Sequence, residues 1–142
     1  MKKVLLLLFL IITTNSFAQT ALQRINIKAI EIEDQIEVDG FLDESIWQTA
    51  IPATNFLQQE PVRRATPTFK TEARLLYNKT SLFIGIMCFD DEPEKLVGRE
   101  LRRDGAISAD DNIKIIFDTF DEKRSAYFFA VNVLGAVNDA LM

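Results

Sequence analysis

The side chains able to do chemistry in this chain are mostly carboxylates, gathered where turns are expected. They are Asp90, Asp91, Glu92, Asp104, Asp110, Asp111, Asp118 and Asp121. Loop carboxylates and backbone carbonyls together can complete the roughly six to eight oxygens that calcium takes. Asp104, Asp110, Asp111 and Asp118 are the calcium candidates, although no EF-hand spacing is present. A pair of carboxylates can also hydrolyse a glycosidic bond. No pair is singled out by spacing, so the chain reads as non-catalytic. There is no histidine, which removes the commonest general base and metal ligand. Arg103, next to Asp104, reads as an ion-pair partner or loop anchor and is a further ligand-contact candidate. Cys88 is the single cysteine, so no internal disulfide forms, and its apolar surroundings suggest a small core residue.

The elements that must position these groups are mainly strands. In Ser108–Asp121, Ile113, Ile115, Phe117 and Thr119 alternate with Asn112, Lys114, Ile116 and Asp118. Alternation of this kind gives one apolar and one mixed face, and the stretch is expected to be a central strand. Ala126–Val133 follows across the turn Asp121–Arg124, with Tyr127, Phe129, Val131 and Val133 on one side. Thr71–Tyr77 and Leu82–Phe89 form a hairpin across Asn78–Ser81. Leu82–Phe89 is apolar throughout, which predicts burial on both faces. Upstream, Ala21–Ile32 reads as one or two short strands, and Glu33–Gln35 as a turn. Asp39 and Gly40 break the next strand. Asp43–Ala50 reads as a short helix capped by Asp43, with Leu42 and Trp47 as a hydrophobic staple. Asn55–Pro67 is a loop. The expected class is therefore all-β, an antiparallel sandwich with one short N-terminal helix.

Length and charge narrow the setting. The chain's 142 residues hold at most one ordinary domain. Met1-Lys2-Lys3, the apolar run Val4–Ile12 and the small residues Ser16 and Ala18 make a bacterial-type signal peptide over 1–18. The run is too short for a membrane span, which needs about 20 residues. Losing Lys2 and Lys3 leaves 14 basic against 21 acidic side chains, a net charge of −7. Such a chain does not seek phosphate backbones, so no nucleic-acid partner is expected. Residues 19–35 form a lead-in and 36–142 the domain. The chain stops soon after an apolar strand, so it is expected to be the front of a longer protein.

Several segments together resemble the family 9 carbohydrate-binding module, in the version found at the N-terminus of long Bacteroidetes-type envelope proteins. They are Ile36-Glu37-Val38-Asp39-Gly40-Phe41-Leu42-Asp43-Glu44-Ser45-Ile46-Trp47, then Thr71-Glu72-Ala73-Arg74 running to Leu82-Phe83-Ile84-Gly85. Arg103-Asp104, Asp110-Asp111 and Phe117-Asp118-Thr119-Phe120-Asp121 follow, and the last are Ala126-Tyr127-Phe128-Phe129, Val131-Asn132 and Gly135. The resemblance implies a jelly-roll sandwich outside the cytoplasm, periplasmic, outer-membrane-associated or extracellular. It also implies a polysaccharide or oligosaccharide ligand, structural calcium, and a C-terminal region of the same longer chain as partner. The parent protein could be a glycoside hydrolase. The alternative is a structural envelope domain that packs on an outer-membrane barrel without binding sugar.

The family's sugar site is a clamp of two tryptophans, and Trp47 is the only tryptophan here. Beside Leu42 and Ile46, Trp47 reads as core. Asp39, Gly40 and Asp43 read as structural residues of the turn before the helix. Tyr77 and Tyr127 remain as aromatic faces on which a sugar ring can stack, and both also fit core-facing strand positions.

Overall fold

A computed structural model describes residues 26–33 and 35–142. The signal peptide expected over 1–18 and part of the expected lead-in lie outside the described residues. The regular structure of the described chain is mainly strand, in two three-stranded sheets, with no helix of seven or more residues among the described residues. It divides into two compact units. One comprises residues up to Asn55 together with Arg74–Gly85. The other comprises Phe56–Ala73 and Ile86–Met142.

The first sheet runs β1 (Ile30–Glu31), β2 (Thr71–Tyr77), β3 (Leu82–Cys88) in that order. The β1–β2 pairing is parallel, with Ile30 opposite Leu76 and Glu31 opposite Tyr77. Asn78 closes the β2–β3 turn: its side-chain Oδ1 accepts from the amides of Thr80 and Ser81 at 3.0 and 2.9 Å. The first unit's core is Ile32, Ile36, Trp47, Ala50 and Leu76, with Ile30, Leu42, Ile46 and Phe83 against it. Leu76 is completely buried and Trp47 is 3% exposed. Gly85 lies against the indole: a Cβ there would come within 2.8 Å of Trp47 Cζ3.

The expected helix over Asp43–Ala50 is instead a five-residue 3-10 turn, Ser45–Thr49. Its cap position is Glu44, not Asp43, and no side chain caps it. Glu44 has a different use. Its Oε2 accepts from Trp47 Nε1 at 2.9 Å and its Oε1 from the Glu37 amide at 3.1 Å. A carboxylate that fixes the indole is not free to satisfy the first-turn amides. Before it, Asp39 Oδ1 accepts from the Phe41 amide at 2.8 Å, and Gly40 takes a left-handed φ of 92°. Asp43 is exposed.

The second sheet runs β4 (Asn112–Phe117), β5 (Tyr127–Asn132), β6 (Val137–Leu141), all antiparallel. Here β4, expected to be central, is at an edge and β5 is central. Alternation reports which face is apolar; strand order is set by hydrogen-bonding partners that it does not encode. Likewise β3 is an edge strand of its sheet, with Leu82, Met87 and Cys88 exposed. The expected core position of Cys88 is therefore corrected.

Facing is also reversed in the second sheet. The buried β5 residues are Ala130 and Asn132, on the mixed face, where Ile107, Ala136 and Phe128 cluster around Ala130. Tyr127, Phe129 and Val131, on the other face, are partly open to solvent.

Candidate functional site

The reversal has a polar cause. Asn132 is 4% exposed and Asp110 is 7% exposed, and their side chains meet at 2.8 Å. Asn132 Nδ2 also donates to the Glu100 carbonyl at 2.7 Å, while its Oδ1 accepts from the amides of Leu134 and Ala136. Asp110 Oδ2 further accepts from the amides of Arg99 and Glu100 at 3.1 Å. The donation from Asn132, then those from Glu100 and Arg99, hold the Asp110 carboxyl below its usual pKa. The loop before β4 is thereby tied to the mixed face of β5. Glu100 is held down to a pKa of about 2, first by the Arg102 side chain and then by the Arg102 amide.

The calcium candidates are used locally. Asp111 Oδ2 accepts from the Val97 amide at 2.6 Å. Asp118 accepts from the amides of Glu122 and Lys123 at 3.2 and 2.8 Å, closing the β4–β5 turn. Asp104 sits in the left-handed region with φ 57°, and its amide donates to the Val137 carbonyl at 3.0 Å. No group of three or more potential metal-ligating side chains comes together among the described residues. Each of the three carboxylates Asp111, Asp118 and Asp110 thus already accepts backbone amides of its own loop.

The three ligand candidates fall in two places. Tyr127 lies on the half-exposed face of the second sheet, opposite Phe117 on one side and Leu141 on the other. The neighbours on this face are Phe129, Val131, Ile113, Ile115 and Val137, with Phe117 and Phe129 edge to face at 6.1 Å. Arg103 reaches the same sheet: its guanidinium pairs with Asp139, which stands opposite Phe129, and also approaches Asp104 at 3.6 Å. The structure therefore brings Tyr127 and Arg103 to one sheet, on a face that is largely aliphatic.

Tyr77 belongs to the first unit and has a different setting. It ends β2, is 38% exposed, and stands opposite Glu31. Opposed residues in a sheet project to the same face, across strands about 4.8 Å apart. Glu31 opens a cleft of 780 Å³ lined by Glu31, Ile32, Glu33, Gln35, Asn78, Lys79 and Thr80. The cleft lies between the end of β1 and the β2–β3 turn, which the Asn78 side chain stiffens. Its volume is within the range of small-molecule sites, and its lining is mainly amide, carboxylate, hydroxyl and ammonium. Glu31, Glu33 and Lys79 form no ion pair among the described residues. All three residues are exposed and line the cleft, where a ligand can reach them.

Sequence reasoning placed Tyr77 as a candidate but missed its companions. Glu33, Gln35, Lys79 and Thr80 looked like turn residues, and Lys79 and Thr80 do lie in the β2–β3 turn. The unread signal was that the two turns converge, and it depends on the parallel β1–β2 pairing. Comparison with known proteins returns no matching family model, no matching curated protein and no matching solved structure.

Proposed function

We propose that this chain is a non-catalytic glycan-binding module of a longer exported protein, and that the cleft beside Tyr77 holds the sugar. The observation that carries this reading is the position of Tyr77, a part-exposed aromatic, across from Glu31 and next to a cleft lined by polar side chains. A pyranose presents an apolar C–H face that stacks on an aromatic ring, and a rim of hydroxyls that needs donors and acceptors at fixed positions. Tyr77 supplies the first; Gln35, Asn78, Glu31 and Thr80 supply the second. A stiff hairpin turn on one side lowers the ordering cost of binding. The strand-rich content is in keeping with the jelly-roll class that the resemblance implies. Export rests on the leader pattern of residues 1–18. No helix among the described residues is long and apolar enough to cross a membrane.

The test is affinity electrophoresis and calorimetry against a panel of plant, algal and bacterial polysaccharides, with Tyr77→Ala alongside. Retention by at least one glycan, lost in Tyr77→Ala with unchanged melting, is the expected result. No retention across the panel overturns the reading. Structural calcium, which the resemblance implies, is tested by melting with calcium and with a chelator. A rise with calcium is the expected result, and unchanged melting would remove calcium from the proposal.

A second reading is favoured by the second unit. The half-exposed face carrying Tyr127, Phe129, Val131, Ile113, Ile115 and Leu141 is more aliphatic than a sugar platform needs. Contiguous exposed apolar surface of this kind marks protein contact. The chain would then be a structural envelope domain docked on another part of its own longer chain, such as an outer-membrane barrel. Alanine at Tyr127 and Phe129 would disturb that docking and leave glycan retention untouched.

A further inference from the structure

The proposed glycan site carries information about which saccharides it prefers. Two carboxylates, Glu31 and Glu33, line the cleft against a single cation, Lys79. All three side chains are on exposed residues. Neither carboxylate has an ion-pair partner among the described residues. Glu31 is moreover the cross-strand partner of Tyr77. An ammonium beside the tyrosine ring is attracted by the ring's negative face, and Glu31, the cross-strand partner, projects to the same side of the sheet. The aromatic ring and the carboxylates therefore favour the same charge on the ligand. The chain as a whole carries −5, which disfavours an acidic saccharide at every approach.

We infer that the cleft selects saccharides bearing a free amine over neutral ones, and neutral ones over uronate or sulfated ones. This rests on the glycan-binding reading of the same cleft. The hydroxyl of Thr80 and the amides of Gln35 and Asn78 make the ligand a sugar rather than any cation. Asn78 Oδ1 is occupied by its own turn, so its Nδ2 is the atom left to donate to a ligand's acceptor oxygen. A lysine side chain offers no such oxygens.

The experiment compares four probes by calorimetry at low and moderate salt: the glucosamine hexamer, its N-acetylated counterpart, oligogalacturonate, and oligolysine of equal charge. The glucosamine hexamer is expected to bind most tightly and to weaken with salt. Glu31→Gln and Glu33→Gln should each lower its affinity by roughly fivefold, the upper end for an exposed ion pair, without altering the acetylated hexamer. Tyr77→Ala should weaken both hexamers. Equal binding of acetylated and free-amine hexamers overturns the amine preference and leaves the glycan reading standing. Oligolysine binding as tightly as the glucosamine hexamer overturns it too, by showing a plain cation site. Preference for oligogalacturonate does the same. Failure of every saccharide removes both the inference and the reading beneath it.

Discussion

Replacing Asn132 by alanine should unfasten the second unit while removing almost no apolar surface. Four hydrogen bonds end on this one buried side chain, two donated by Nδ2 and two accepted by Oδ1. Each is worth about 0.5–1.5 kcal/mol net, and a buried group left without a partner costs about 1–3 kcal/mol. The Ala136 amide is such a group, since Ala136 is itself buried. The combined loss is about 3–5 kcal/mol, a large fraction of the 5–15 kcal/mol typical of a domain. At about 3 °C per kcal/mol for a chain of this size, the melting point should fall by roughly 10–15 °C. The assay is thermal unfolding followed by circular dichroism. Asn132→Asp adds a control: it keeps the shape and sets a second carboxylate against Asp110. Its deficit at pH 7 should shrink toward pH 4, as the pair takes up a proton. A loss under about 3 °C for Asn132→Ala would show that the polar hub does not hold the loop to β5.

Trp47→Ala should cost about 3–5 kcal/mol, because the indole is buried against Leu42 and Gly85 and bonded to Glu44; unchanged melting would contradict its core role. Gly98→Ala should destabilise by about 1–3 kcal/mol, since its Cβ would come within 2.6 Å of Leu134 Cγ and Val133 Cγ1; a neutral result would show that these side chains move aside freely. Acid should weaken the fold. Asp110 and Glu100 have folded pKa values below their usual 3.8 and 4.5, so their contribution is present above those values. It is lost as pH falls through the folded values, about 2 for Glu100. Melting points taken between pH 5 and pH 2 should therefore decline, and less steeply in Asn132→Ala.

Strand content was readable from alternation, and both hairpins from their turn residues. Alternation at β5 showed which residues share a face, but not which face is covered. The solution lay in two polar residues: Asn132 inside an apolar strand and Asp110 before β4 pair with each other and draw the loop over the mixed face. Glu44 carried a similar signal. Three residues before Trp47, it bonds the indole, and the segment closes as a 3-10 turn instead of an α-helix. The cleft was the least legible feature. It depends on β1, a two-residue strand, pairing in parallel with a strand forty residues later, and no local pattern announces that.

The most direct measurement is an amide-resolved NMR titration of the chain with a retained oligosaccharide. Shifts should concentrate at Glu31–Gln35 and Tyr77–Thr80, with the second sheet unmoved. Shifts centred on Tyr127, Phe129 and Arg103, or none anywhere at saturating ligand, would contradict the cleft as the binding site.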